Sequence, residues 1–147
     1  MAQRNYRTNL MQIYTLLFVI IFSTFLNQPL FADDGLQLFK DYCESCHGIK
    51  SRGPDRAAPP MVAVRNHYMS EYQGEEKFVS AMVDWLEKPE HRKTLMPGAI
   101  RRFGVMPPSE LELKERQILA KYIYVTDFQM PGWYREHFRK EHGKEPQ

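Results

Sequence analysis

The feature that most constrains this chain is the stretch CESCH, residues 43–47. It contains the only two cysteines among the 147 residues, Cys43 and Cys46, and His47 follows the second one directly. In a chain long enough for one domain, two cysteines at this spacing can form a redox disulfide, supply part of a metal site or anchor a prosthetic group. The sequence around the motif discriminates among these three interpretations.

A redox disulfide and a zinc site both fit the surrounding sequence poorly. A thioredoxin-like pair begins a helix after a buried strand, whereas Leu36, Phe39 and Tyr42 recur before the first cysteine at helical spacing. A structural zinc site takes four Cys or His ligands in paired clusters, and the sequence has no second cluster of that kind.

The remaining interpretation is covalent haem attachment, of which C-x-x-C-H is the signature. Cysteines about one helical turn apart place both sulfurs under one edge of a porphyrin, where each can add to a vinyl group. The next residue then directs its imidazole at the iron from the same side. We therefore predict one haem c, bound covalently through Cys43 and Cys46, with His47 as an axial ligand of the iron.

A second axial ligand is expected among the methionines, because histidine and methionine together commonly ligate an electron-transfer haem. Met106 is the preferred candidate. Two prolines follow it, and Ser109 with Glu112 forms a capping-box pattern for a helix just beyond. A stiff loop of this kind would hold the sulfur at a fixed distance from iron. The alternatives are Met96, Met61, Met69, His67 or an open sixth position.

The first 32 residues have the order of a secretory signal peptide. Arg4 and Arg7 precede an apolar run over residues 13–26, and the small residue Ala32 stands where processing is expected. This run of 14 residues is shorter than the roughly 20 that span a bilayer as a helix. We therefore expect export to the periplasm with cleavage after Ala32, rather than an uncleaved anchor or a buried helix.

Charge limits the partners that the mature chain can have. Without Arg4 and Arg7 the formal net charge falls from +2 to zero, so nucleic acid is not expected, since phosphate binding requires a net basic surface. The densest basic stretch is expected to face a redox partner. It consists of Lys88, Arg92, Lys93, Arg101 and Arg102.

No segment alternates like a strand, which predicts an all-α fold. Residues 75–88 carry apolar side chains at helical spacing and end before Pro89, and residues 111–123 predict a second helix with a broad apolar face. The tail, residues 129–147, is predicted to form a short helix that packs its aromatic residues on the domain. A docking element for a membrane or a redox partner is the alternative.

Together these features resemble the class I c-type cytochromes, from Gly35 to about Phe128. Gly35 and Phe39 precede the first cysteine by eight and four residues, as in the N-terminal helix of that family, and Tyr122 takes the place of the aromatic in its C-terminal helix. The resemblance implies an all-α, cytochrome c-like fold whose N- and C-terminal helices cross around a covalently bound haem. The glycine would allow the two helices to approach closely.

The resemblance also implies partners for the haem and for its histidine ligand. The stretch AAPP, residues 57–60, resembles the segment whose proline carbonyl accepts a hydrogen bond from that histidine, and Pro60 is preferred over Pro59. Trp85 could donate to a haem propionate or simply fill the core. Arg101 and Arg102 could pair with a propionate, although solvated side chains are the more common outcome.

The expected organisation is a signal peptide at 1–32, a cytochrome c domain at 33–128 and a C-terminal extension at 129–147. We expect a monohaem cytochrome that carries single electrons between periplasmic or membrane-bound redox proteins through transient contacts. It would not be an enzyme and would take no small-molecule substrate. The alternatives are a haem-bearing electron-entry subunit of a larger oxidoreductase, and a gas-binding or peroxidase-like haem protein with an open sixth position.

Overall fold

The structure, a computed structural model, describes residues 31–48, 56–130, 132–143 and 145–146. Within these ranges the chain is helical and has no strand, which confirms the all-α prediction. A 3-10 turn, His91–Lys93, lies between the fourth and fifth α-helices. The α-helices are α1 (Phe31–Tyr42), α2 (Glu44–His47), α3 (Met61–Glu71), α4 (Glu75–Glu87), α5 (Pro97–Phe103), α6 (Leu113–Val125) and α7 (Gly132–His142).

The predicted signal peptide falls almost wholly outside the described residues, so its cleavage stays a prediction. In the part of the chain that the structure does describe, no helix combines the length and apolar character needed to cross a bilayer.

Helices α1 and α6 cross at Gly35, as the resemblance implied. A Cβ atom placed on Gly35 would lie 2.5 Å from Tyr122 Cβ, which is closer than real side chains approach one another. The aromatic rings beside this contact complete the crossing, since the Phe39 ring lies 5.8 Å from that of Tyr122 and 5.2 Å from that of Phe128. The glycine is therefore required by space at this position.

Helix α4 confirms the helix predicted over residues 75–88. It follows Gly74, whose φ of 90° lies in the left-handed region that glycine adopts readily, and it ends two residues before Pro89. Phe78, Met82 and Leu86 are buried and form its inward face. This face packs against α6 and provides one wall of the core.

Helix α6 begins later than the Ser109 capping box predicted, so that prediction was wrong. Glu112 is the residue that caps the helix, and its backbone N–H donates to the Glu115 side chain at 2.8 Å. The N–H of Ser109 instead donates to the Leu86 carbonyl at 2.9 Å, at the end of α4. That bond holds the chain against α4, and buried Leu111 enters the core before the helix starts.

The buried residues form two hydrophobic clusters. The first cluster brings together α1, α4 and α6 with parts of α3, and includes Phe39, Phe78, Leu119 and Ile123. The second cluster consists of Val62 and Ala63 from α3 with Tyr134 and Phe138 from α7. Helix α3 therefore lies between the two clusters. Helix α7, in the C-terminal tail, packs on the domain through its own aromatic residues.

Candidate functional site

Cys43, Cys46 and His47 of CESCH line the same cavity as the loop that carries Met106, although about sixty positions separate them in sequence. The cavity has a volume of about 500 Å³, within the usual range for cofactor pockets. Its walls come from α1 to α6 and the segments between them, and most of the lining side chains are apolar. Both predicted axial ligands thus line one shared cavity.

The two cysteines differ in burial. Cys43 is buried between α1 and α2, Cys46 is exposed, and both are free thiols. Burial raises the pKa of the Cys43 thiol to about 12, and the proximity of Cys46 adds to the effect. A thiol with a raised pKa yields little thiolate at neutral pH, and the thiolate is the species that reacts in disulfide exchange. The arrangement therefore does not favour a redox-active disulfide.

A short hydrogen bond holds the imidazole of His47. Its Nδ1 donates to the Pro59 carbonyl oxygen at 2.7 Å, which leaves Nε2 available as a metal ligand. Burial lowers the pKa of His47, and the bond to Pro59 partly offsets this effect. A neutral imidazole with a fixed tautomer is the form that binds a metal ion.

The preference for Pro60 as the acceptor was wrong. Pro60 immediately precedes α3, and its carbonyl accepts the first hydrogen bonds of that helix, from Ala63 N–H at 2.8 Å and Val64 N–H at 3.3 Å. The carbonyl one residue earlier is outside the helix and points to His47. Pro60 itself is buried at the start of α3.

Met106 occupies a defined position at the cavity wall. The indole Nε1–H of Trp85 donates to its sulfur at 3.1 Å, and both side chains are half-buried and line the cavity. Trp85 was interpreted from sequence as a propionate donor or a core residue, and neither interpretation included a contact with the methionine. A contact with a side chain 21 positions away leaves no signal in local sequence periodicity.

The other candidates for the sixth ligand divide into two groups. Met96 and Met61 line the cavity, whereas Met69 and His67 are not among its lining residues. His67 donates through Nδ1 to the Ala63 carbonyl at 2.8 Å. The sequence analysis did not consider Met82, which also lines the cavity.

Met96 is placed less favourably than Met106. It immediately precedes α5 and packs against the second cluster, which draws its side chain toward α3 and α7. Its backbone N–H is fixed by the Thr94 hydroxyl at 3.0 Å.

Two arginines, Arg56 and Arg102, lie next to cavity-lining segments and influence each other electrostatically. Arg56 Nε is buried and has no hydrogen-bond partner in the described part of the chain. Its guanidinium lies 4.6 Å from the centre of the Trp133 ring, and burial together with the charge of Arg102 lowers its pKa. Sequence reasoning named Arg102 but missed Arg56, because an isolated arginine in a loop carries no motif.

These features fit a haem. The lining supplies two thiols, an oriented imidazole, thioether sulfurs and apolar walls, and a buried guanidinium nitrogen without an acceptor lies nearby. A large apolar ring system with carboxylate substituents would satisfy each of them.

The basic stretch predicted to face a partner is partly neutralised. Glu90 accepts ion pairs from Lys88 at 3.1 Å and from Arg92 at 2.7 Å, and Lys93 pairs with Asp84 at 3.0 Å. The charge that this stretch presents to solvent is therefore smaller than its sequence indicates.

The tail is anchored in the domain by α7. Tyr134 and Phe138 are each only 2% exposed, whereas Trp133 is 47% exposed. A docking helix would have to present its apolar side chains to a partner, so this packing favours the interpretation in which the tail packs on its own domain.

Known proteins resemble this chain in sequence. The sequence model of the cytochrome c family matches residues 32–126. An uncharacterized protein of Aquifex aeolicus (strain VF5) is 31% identical over 150 residues, an alignment that covers 85% of this chain and 96% of that protein. No solved structure matches.

Proposed function

The chain belongs to the cytochrome c family, and from this premise we propose that it carries single electrons through one covalently bound haem c. The observation that carries the proposal is the cavity lined by Cys43, Cys46, His47 and Met106 together. When bound, the haem supplies an iron that alternates between Fe(II) and Fe(III). The side chains of the cavity attach it, ligate it and exclude water from it.

Attachment is assigned to the two cysteines. Each S–H would add across one vinyl double bond of the haem, so that a C–S bond would form and the proton would end on the neighbouring vinyl carbon. Cys43 is the buried residue and Cys46 the exposed one, so that one proposed attachment point would lie inside the cavity and the other at its edge. The helical turn between them fixes their separation, because His47 N–H donates to the Cys43 carbonyl at 2.8 Å.

Iron ligation is assigned to His47 and Met106. The Pro59 carbonyl fixes the imidazole so that Nε2 remains free to bind metal. A soft thioether favours Fe(II), and the apolar lining disfavours the additional positive charge of Fe(III). We expect both effects to raise the reduction potential. Packing would hold both ligands in the same positions in both oxidation states. The site would therefore rearrange little during electron transfer.

Binding of the haem propionates is assigned to Arg56 and Arg102. A propionate would supply the acceptor that buried Arg56 Nε lacks in the described structure, and it would screen the repulsion between the two guanidinium groups. Arg101 and Arg102 are both exposed on α5. Only Arg102 is assigned to the haem, because its charge acts on Arg56.

The partners are proposed to be other redox proteins, in or beside the membrane, that bind transiently at the cavity mouth. Exposed lining residues there are largely apolar, with Tyr42 55% and Val105 41% exposed. Most of the nearby basic stretch is tied into ion pairs. Electron exchange should therefore depend only weakly on ionic strength, in contrast to docking through a ring of lysines.

The location proposed for this activity is the periplasm, with residues 1–32 as a cleaved export signal. Cleavage after Ala32 would leave the acidic first turn of α1, Asp33 and Asp34, at the new N-terminus. Negative charge near a helix N-terminus is favourable. Mass spectrometry of the exported protein should show a chain that begins at Asp33, and an intact N-terminus would contradict the proposed cleavage.

The test of the proposed function is a haem-retention and redox experiment on the full chain, expressed with haem maturation. The haem should remain attached after acidic organic extraction, and a reductive titration should consume one electron per chain. The double variant Cys43→Ser, Cys46→Ser should lose the haem on extraction. Rapid binding of carbon monoxide by the reduced native protein would instead indicate an open sixth position and would contradict the carrier function.

A further inference from the structure

Trp85 is the polar side chain in direct contact with the proposed methionine ligand. Its Nε1–H lies 3.1 Å from the sulfur of Met106 and donates to it. We propose that Trp85 is a positioning residue for the Met106 sulfur and that its hydrogen bond raises the reduction potential of the haem. This inference rests on the proposed function, because it requires Met106 to be an iron ligand.

The indole is fixed by the helix that carries it. Trp85 lies in α4, with buried Met82 three residues before it and buried Leu86 directly after it. Tryptophan has only two side-chain torsions, so a ring packed at this position has little freedom to redirect its N–H.

The loop that carries Met106 is attached to α4 at two points. One is the bond from Trp85 Nε1 to the Met106 sulfur, and the other is the bond from Ser109 N–H to the Leu86 carbonyl at 2.9 Å. The prolines at 107 and 108 connect the two attachment points and restrict the backbone between them. The loop is therefore clamped to a helix that belongs to the first cluster.

The choice of acceptor distinguishes this contact from ordinary core packing. A half-buried indole N–H could also donate to water, and a thioether sulfur is a weak acceptor compared with a carbonyl oxygen. The bond of Trp85 to the sulfur is therefore a specific contact. A sulfur has two lone pairs, so that one can accept the N–H while the other remains available to a metal. The contact therefore orients the sulfur without blocking ligation.

The electronic consequence follows from the direction of the N–H dipole. Its positive end points at the sulfur, withdraws electron density from it and disfavours additional positive charge nearby. Fe(III) carries one more positive charge than Fe(II), so the hydrogen bond favours the reduced state. Removing the N–H should lower the potential and leave the sulfur less firmly held.

The test compares two replacements of Trp85 in the haem-loaded full chain. Trp85→Phe removes the N–H together with some volume, and substitution by benzothienylalanine exchanges the N–H for sulfur in a ring of nearly the same shape. In both variants we expect the Fe(III)/Fe(II) ratio at a fixed applied potential to rise about threefold or more. This is the size expected for the loss of one hydrogen bond. A tenfold change in that ratio corresponds to about 59 mV for one electron.

The matched control is Trp133→Phe, which makes the same chemical change at the exposed tryptophan and keeps an aromatic face beneath Arg56. Its potential should equal that of the native protein. Unchanged potentials in both Trp85 variants would overturn the inference.

A further variant separates this inference from the proposed ligation. Met106→Ala should lose the sulfur-to-Fe(III) charge-transfer band. If the band is lost there and the Trp85 variants keep the native potential, only the role of Trp85 is contradicted. If the band survives in Met106→Ala, the ligand assignment fails, and the role of Trp85 fails with it.

Discussion

The two hydrophobic clusters bury similar aromatic residues but differ in what depends on them. The first cluster joins α1, α4 and α6 and forms walls of the cavity, and Phe78 at its centre is 0% exposed. The buried residues of the second cluster come from α3 and α7, and Phe138 among them is 2% exposed. Burial alone would rank these phenylalanines as equals. The helices that each cluster connects indicate that the first cluster supports the whole domain, whereas the second cluster attaches one terminal helix.

The comparison can be tested by making the same substitution in each cluster, beginning with the first. Phe78→Ala removes a ring that contacts Tyr68 and Tyr124 at centroid distances of 5.8 Å and 5.2 Å. The free energy of unfolding should fall by about 4 kcal/mol, as for other fully buried phenylalanines. Chemical denaturation of the haem-loaded protein measures the change, and a loss below about 1 kcal/mol would contradict the central role of the first cluster.

The crossing of α1 and α6 should be nearly as sensitive. Gly35→Ala introduces a Cβ atom 2.5 Å from Tyr122 Cβ, and overpacking of this kind should cost about 3 kcal/mol. Gly98→Ala in α5 is the control, because the nearest atom there is the flexible Arg101 guanidinium at 3.8 Å. Equal stability of the two variants would show that the helices do not cross as described.

The matching substitution in the second cluster should have a smaller effect. In Phe138→Ala the free energy of unfolding should fall by about 2 kcal/mol, because α7 can detach locally before the full cost of a cavity is incurred. Amide hydrogen exchange should accelerate in α7 and remain slow in α4 and α6. A loss as large as that of Phe78→Ala, or a changed haem spectrum, would show that the two clusters act as one.

Acidification should weaken the packing of the second cluster, because the His67 ring lies 5.9 Å from that of Phe138. Burial lowers the pKa of His67, as do the charges of His142 and His137, while the Ala63 carbonyl and Glu141 act in the opposite direction. The unfolded chain therefore binds its proton first, and stability is lost as pH falls below the ordinary histidine value of about 6.5 toward the lower folded value.

The variant His67→Gln removes this titration. Its free energy of unfolding between pH 8 and pH 5 should decline less steeply than that of the native haem-loaded protein. Parallel profiles for the two proteins would exclude His67 as the source of the acid sensitivity.

Structural features that depend on one face of a helix, or on a motif of adjacent residues, could be predicted from the sequence. The helix over residues 75–87 follows from such a pattern, whereas the crossing at Gly35 was implied by the resemblance to class I c-type cytochromes. Helix α3 was not predicted, because it contacts both clusters and its apolar residues do not form a single stripe.

Within the site, the motif CESCH was readable from sequence, but several contacts were not. Pro59 and Pro60 are adjacent and chemically identical, and only the start of α3 decides which carbonyl remains free for His47. The bond between Trp85 and Met106 joins residues from two separate elements. Such long-range contacts depend on the packed structure rather than on local spacing.

The central claim is that Met106 binds the iron opposite His47, and it is tested most directly by the near-infrared spectrum of the oxidised, haem-loaded protein. The sulfur-to-Fe(III) charge-transfer band should be present in the native protein, absent from Met106→Ala and retained in Met96→Ala. Survival of the band in Met106→Ala together with its loss in Met96→Ala would contradict the account.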